Sequence, residues 1–490
     1  MTVHLVGAGP GDPGLVTVRG AQLLAIADVV VFDRLTAAEL LEMAPPGCEM
    51  VNVGKDPSGS SVSQDRINEL LVAHGRAGRC VVRLKGGDPF VFARGAEEAA
   101  ALEAAGVDYE VVPGITSAFA APAYAGIPVT LRYSSTHVTV VTGHEDLSKG
   151  RTDVDWEAIA SGGGTIVILM GVGRWQSIRQ RLLSGGLDPL TPAAAVQWGT
   201  TPRQRTVRAT LSTLEQADMA PPATIVVGNV AGEELDWFER RPLFGRSVVV
   251  TRAKAQAGGL ADLLSRRGAD VIVAPTIEVV DADDGGASLR AAIDGIATAN
   301  WVVVTSPNGA ERLADSLRDA RDLAGVSVAA IGPGTASALA EHRLVADLVP
   351  GRHVAESLLE EFPDPPAGGG RVVILRAQEG RDVLPDGLAE RGWTVELVPA
   401  YRTVPAVPAD SLRERIEAAD AVLFASSSAV RNWVAAMGGT CPPVVGAIGP
   451  ITAQTASDAG MPVGVQPEQS TLDDFVDALC AHFAAQGGTG

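Results

Sequence analysis

The sharpest chemical pattern in the chain is an apolar run that passes directly into a turn: Val82-Arg83-Leu84-Lys85-Gly86-Gly87-Asp88-Pro89-Phe90-Val91-Phe92. Gly-Gly-Asp-Pro is turn chemistry, and such a turn can offer backbone amides and one carboxylate to a ligand. A carboxylate there suits a cationic amino group or a pair of ribose hydroxyls. Two more stretches share the form. Val6-Gly7-Ala8-Gly9-Pro10-Gly11-Asp12-Pro13 closes one short apolar run, and Val111-Val112-Pro113-Gly114-Ile115-Thr116-Ser117 leads from another into a helix start with two hydroxyls. Glycine at these junctions lets backbone N–H groups approach a polar ligand. The first stretch is a poor dinucleotide fingerprint. Asp12 stands where the third glycine of G-x-G-x-x-G belongs, and Pro10 and Pro13 stiffen the turn. Taken singly, each stretch also reads as an ordinary strand–turn–helix junction.

The elements that must position these turns are legible as alternating patterns. Val3–Val6, Asp28–Phe32, Cys80–Leu84, Val138–Thr142, Thr165–Met170 and Thr224–Val227 are strand-like runs rich in β-branched residues. Ala/Leu/Glu-rich stretches such as Arg94–Ala105 lie between them, which predicts α/β architecture. A boundary is expected after Val230, where Ala231–Arg246 reads as a charged, aromatic, Pro-containing connector, and Pro363–Gly370 reads as a loop. The second half repeats itself. Ser247–Ala253 resembles Arg371–Ala377, Trp301–Gly309 resembles Ala421–Ala429, and Ile331-Gly332-Pro333-Gly334-Thr335 resembles Ile448-Gly449-Pro450-Ile451-Thr452. Two similar α/β units are the simplest account.

At 490 residues the chain is too long for one core, and its 46% hydrophobic and 20% charged residues describe a globular protein. A net charge of −19 argues against a general nucleic-acid or anionic-membrane binder, so an anionic substrate would need a local cluster of Arg and Lys. Cys48, Cys80, Cys441 and Cys480 are scattered and form no CxxC pair, so neither a metal site nor a disulfide framework is expected. The N-terminus has no basic leader, and no apolar run approaches the roughly 18 residues of a spanning helix. A cytoplasmic protein is expected.

In combination and order, the N-terminal motifs closely resemble the uroporphyrinogen III C-methyltransferases of the tetrapyrrole methylase family. Phe32-Asp33-Arg34-Leu35, Val53-Gly54-Lys55, Ala125-Gly126-Ile127-Pro128, Thr142-Gly143-His144, Met170-Gly171, Gly199-Thr200 and Gln204-Arg205 extend the match from Thr2 to about Val230. The resemblance implies two α/β subdomains (about 1–115 and 116–235), a homodimer, and a cleft holding S-adenosylmethionine and a tetrapyrrole. Donor contacts would fall on Pro10, Gly86, Gly87, Asp88, Val91, Thr116, Ser117, Met170 and Gly199. Asp33 and Lys55 match the family's proton acceptor and proton donor. The substrate carries eight carboxylates, and Arg34, Arg83, Lys85, Arg94, Arg132, Arg203 and Arg205 are the expected forks. The chain departs from the family pattern at Asp56, Ser60, Ala93 and Leu131. The last stands where Thr-His-Arg is usual, and His4, His74 and His137 are expected in core or surface roles.

Beyond a 236–246 linker, residues 247–485 resemble uroporphyrinogen III synthase. The carriers are the repeat, Thr305-Ser306-Pro307, Ala400-Tyr401-Arg402-Thr403 and Ser426-Ser427-Ser428. That resemblance implies two α/β units joined by two strands, one unit being discontinuous (Leu243–Pro275 with Pro408–Phe483) around Thr276–Ala400. It places Tyr401 near a departing hydroxyl and Ser306, Thr335, Ser427 and Thr452 on substrate, although Ser and Thr there are also common helix caps. The combined expectation is a bifunctional enzyme that takes hydroxymethylbilane through uroporphyrinogen III to precorrin-2. The alternatives are a methyltransferase for a later corrinoid, and a C-terminal half that binds tetrapyrrole without catalysis.

Overall fold

The computed structural model describes residues 2–54, 62–144, 154–251, 254–351, 355–380 and 382–487; Lys55, Asp56 and Ser60 lie outside them. Met1–Ser247, with Leu264–Asp270 and Phe483–Gly490, forms one compact unit, and Val248–Leu263 with Val271–His482 forms a second.

The first unit holds two five-stranded sheets. The apolar runs form strands β1 (Val3–Gly7), β2 (Val29–Phe32), β3 (Glu49–Asn52), β4 (Val81–Lys85) and β5 (Tyr109–Val112), in the order β3-β2-β4-β1-β5. All its neighbours run parallel. A parallel sheet is covered on both faces, which is why β1 and β4 are buried along their whole length. Side chains alternate between faces with period two. Val3, Leu5, Val29, Val31 and Val81 pack into one core, while Val6, Val30, Val82 and Leu84 pack into another. Arg83 and Lys85 therefore share a face with Val81.

The second sheet contains β6 (Val138–Thr142), β7 (Thr165–Leu169), β8 (Pro192–Gln197), β9 (Arg205–Thr210) and β10 (Ala223–Val227), in the order β6-β7-β10-β8-β9. β6 and β7 are parallel, and β10 runs antiparallel to both β7 and β8. The C-terminal ends of β6, β7 and β8 thus share one edge.

The second unit also rests on two sheets. One joins β11 (Ser247–Val250), β12 (Asp270–Val273), β18 (Ala421–Phe424), β19 (Val444–Ala447) and β20 (Val463–Val465) in the order β12-β11-β18-β19-β20. The other orders β13 (Ile277–Val280), β14 (Trp301–Val304), β15 (Ser327–Ala330), β16 (Gly370–Ala377) and β17 (Trp393–Pro405) as β13-β17-β16-β14-β15. The 13-residue β17 pairs parallel with β16, and its end pairs antiparallel with β13, Ile277 opposite Pro405 and Val280 opposite Arg402. No helix among the described residues is long and apolar enough to cross a membrane.

Candidate active site

Parallel strands deliver all their C-terminal ends to one edge, where open α/β sheets hold ligands. The turns after β1, β4 and β5 meet there backbone against backbone. Ala8 N donates to Lys85 O (2.7 Å), and Gly9 and Gly87 exchange two N–H···O bonds (3.2 and 2.7 Å). A Cβ on Gly7 would overlap Gly114 and the Gly87 carbonyl, and one on Gly114 would overlap Gly87 and Gly7. Gly87 also sits at φ 69°, a region that disfavours side chains. The Asp88 carboxylate completes the tie, accepting from Phe90 N (2.8 Å) and Gly114 N (2.9 Å). Its oxygens bind chain amides, so it works by fixing two turns to each other. Gly86 differs: a Cβ there would meet no atom within 4 Å. The turn is closed behind Gly87 and open at the exposed Gly86, where a ligand could reach its backbone groups.

The second sheet contributes through the same edge logic. Met170 follows β7 and Gly199 follows β8. Gly199 lies so close to Ala121, on the helix Ser117–Tyr124, that a Cβ would overlap it. Asp12 N donates to Thr200 Oγ1 (3.1 Å), Tyr124 OH donates to Asp12 Oδ2 (2.7 Å), and Gly14 N donates to Asp12 Oδ1 (2.8 Å). The aspartate in place of a third glycine ties the β1 turn to the helix through its carboxylate, while its backbone amide reaches the β8 turn. Burial and then the Asp12 bond push the Tyr124 phenol above its ordinary pKa, so it remains a donor. Five of the seven left-handed non-glycine residues among the described residues line these loops: Phe92, Arg94, Met170, Trp198 and Thr200. Such strain persists where surroundings enforce it, and it gathers at ligand clamps. Met170 is 51% exposed at φ 55°. Thr116 caps its helix by accepting from Ala118 N (3.3 Å), and Ser117, Pro10 and Val91 are half-buried beside these turns.

Behind the turns lies a buried charge cluster. Arg83 is 2% exposed and Glu98 0%. Arg83 Nε and Lys85 Nζ both donate to Glu98 Oε1 (3.1 and 2.9 Å), while Arg83 Nη2 donates to Asp33 Oδ1 (2.7 Å). Burial first, and the neighbouring Arg83 second, lower the Lys85 pKa; Glu98 opposes them. Arg83 and Lys85 are therefore held inside the protein, and their burial removes them as direct forks for substrate carboxylates. Asp33, just past β2, keeps about a third of its side chain exposed (34%) while Arg83 fixes one oxygen.

The other expected cations lie at the surface. Arg34 is exposed, Arg94 pairs with Glu97 (2.7 Å), and Arg132 and Arg203 stack over Tyr133 and Trp198 (5.2 and 4.3 Å). Arg205 donates to Asp218 O (2.7 Å). His4 is buried against Glu110 (2.9 Å).

In the second unit the sequence repeat becomes an atomic one. Ser306 and Ser426 each cap the helix after a central strand, accepting from Gly309 N (3.1 Å) and Ala429 N (3.2 Å). Pro333 and Pro450 each open a helix, with Thr335 and Thr452 buried two residues on. Buried Tyr401 and Ser306 share a hydrogen bond through their hydroxyls (2.9 Å). Ser427 donates to Ile451 O (3.3 Å), and the repeat equivalent of Ser306 is Ser426. Sequence reading missed Glu98, Tyr124 and Ser426. Glu98 left a signal, since two cations at alternate positions of a buried strand require an anion on the next helix.

Interlocked glycine turns at the edge of a parallel sheet, bonded to a turn from a mixed sheet, are the α/β arrangement of an enzyme that works at its strand ends. Residues 2–215 match the tetrapyrrole (corrin/porphyrin) methylases, and residues 259–477 match uroporphyrinogen-III synthase HemD. The porphyrin biosynthesis protein HemD of Ruminiclostridium josui is 37% identical across 97% of this chain and 97% of its own length. The S-adenosyl-L-methionine-dependent uroporphyrinogen III methyltransferase of Methanosarcina barkeri is 48% identical over 46% of this chain and 91% of its own. A uroporphyrinogen-III C-methyltransferase of Bacillus subtilis is 46% identical over 56% of this chain and 58% of its own. The chain belongs to both families, one in each half.

The charge cluster yields a stability prediction. Glu98→Ala strands the buried Lys85 and leaves Arg83 with Asp33 alone, and breaking such a buried pair costs about 3–5 kcal/mol. A denaturant titration should show that loss for Glu98→Ala, and a far smaller one for Glu97→Ala, whose partner Arg94 is exposed.

Proposed function

We propose that the second half cyclises hydroxymethylbilane to uroporphyrinogen III with inversion of the last pyrrole. The first half then transfers two methyl groups from S-adenosylmethionine to give precorrin-2. The observation that supports the methylation is the interlocking of the Gly7, Gly87 and Gly114 turns, which leaves the backbone at Gly86 open. There backbone groups would take the donor's polar atoms, and the exposed Met170 would offer an apolar contact.

S-adenosylmethionine supplies an electrophilic methyl group, and the electron-rich pyrrole carbon takes it as the carbon–sulfur bond breaks. The chain's own part is alignment, which can contribute about 7–11 kcal/mol. A proton must then leave the ring system, and Asp33 is the group to accept it. Arg83 holds one carboxylate oxygen at 2.7 Å, and the exposed remainder is left for substrate. Lys55, outside the described residues, is assigned the complementary donor role by resemblance alone. Because Arg83 and Lys85 are buried, the substrate's carboxylates fall to the exposed Arg34, Arg132 and Arg94, the last exchanging its exposed partner Glu97 for substrate. In the second half Tyr401, steadied by Ser306, serves the departing hydroxyl, and Thr335, Ser427 and Thr452 lie at the helix starts that meet substrate. A homodimer working in the cytoplasm completes the reading.

Anaerobic incubation of the chain with hydroxymethylbilane tests both halves by isomer analysis and mass spectrometry. Isomer III should form without the methyl donor and gain two methyl groups with it. Isomer I alone, which arises spontaneously, would mean that the C-terminal half is not a working synthase. Asp33→Asn should slow methylation by about 10²–10⁴-fold, the usual value of a positioned base, with donor affinity kept. Tyr401→Phe should slow isomer III formation by about 10–100-fold, the value of one strong hydrogen bond.

A further inference from the structure

We infer that Glu239, in the segment between the two families' matched spans, is a positioning residue of the methyl-donor site. The inference rests on reading the Pro10–Asp12 and Gly199–Thr200 turns as donor contacts. The methylase match ends at residue 215, so Glu239 lies beyond it.

The path runs through four groups. Glu239 Oε1 accepts from Gln204 Nε2 (2.8 Å) and from the Thr206 hydroxyl. Gln204 Oε1 accepts from Thr200 N (2.8 Å), and Thr200 Oγ1 accepts from Asp12 N (3.1 Å). Gln204 and Thr200 are 4% and 2% exposed, so water has little access to these bonds. A carboxylate is acceptor-only, whereas an amide has a donating and an accepting end. Glu239 therefore dictates which end of Gln204 faces it, and so leaves the Gln204 oxygen for the Thr200 amide. Thr200 is the residue that needs this hold, since it sits at φ 72°. Its hydroxyl then sets the Asp12 amide, and through it the turn containing Pro10.

The segment that carries Glu239 is docked rather than loose. Trp237 and Phe238 pack on Tyr124 (4.9 and 4.8 Å between ring centres), the Tyr124 that holds Asp12. Trp237 Nε1 donates to Ala123 O (2.9 Å), and Arg208 donates to Asp236 (2.6 Å). These contacts converge on the turn that Glu239 reaches through Gln204.

The test uses the full chain and calorimetric binding of S-adenosylhomocysteine. Glu239→Ala should weaken binding about tenfold and raise the KM for the donor, with kcat at saturating donor and the KM for uroporphyrinogen III unchanged. Gln204→Glu sets two carboxylates against each other and should weaken binding as well. The double variant Gln204→Glu/Glu239→Gln exchanges donor and acceptor, and should restore wild-type affinity; this comparison stands even if Glu239→Ala fails to fold. Asp88→Ala separates the inference from the reading beneath it. Lost binding in Asp88→Ala with wild-type binding in Glu239→Ala would overturn the inference alone. Wild-type binding in both would overturn the site reading and the inference with it. A double variant no better than Gln204→Glu would also overturn the inference.

Discussion

The architecture of the first half depends on one backbone contact: the turn after β1 pressed against the turn after β4, with Gly9 and Gly87 bonded to each other. Only glycine permits that approach, because a Cβ on Gly7 or Gly114 would occupy the neighbouring backbone. Closing the turns from behind spares their forward side, and the backbone at Gly86 stays open. Asp88 is the lock. With both oxygens on chain amides, it converts two flexible turns into one surface, which lowers the ordering that a bound ligand must impose.

The same sheet solves an electrostatic problem. A central parallel strand should be apolar, yet β4 carries Arg83 and Lys85 on one face. Water cannot reach them, so Glu98 must. The arrangement gives an apolar environment a fixed positive charge, and Arg83 extends it to Asp33 at the strand edge. Charge that would be costly as an isolated group becomes a means of orienting a carboxylate just where the strands end.

The α/β class was legible because strand runs of β-branched residues alternate with Ala- and Leu-rich helices, a pattern local to each segment. The glycine turns were legible for the same reason. Partners distant in sequence were not. Nothing local to Asp12 announces Tyr124 or Thr200, and nothing local to Asp88 announces its bond to Gly114. Arg83 and Lys85 looked like substrate forks because a sequence shows charge without showing depth. In the second half the repeat made twin helix caps visible, but only geometry distinguished Ser426, which caps, from Ser427, which does not.

The two halves use opposite means to hold polar groups. In the first, backbone approaches backbone and glycine is obligatory. In the second, small hydroxyls at helix starts do the holding: Ser306 and Ser426 as caps, Thr335 and Thr452 buried two residues past a proline. A helix start presents several N–H groups at once, and proline there fixes the backbone at little cost because its missing N–H had no helical partner. Such starts can bind carboxylates without a buried cation. At one of them Tyr401 is brought in, its hydroxyl bonded to that of Ser306.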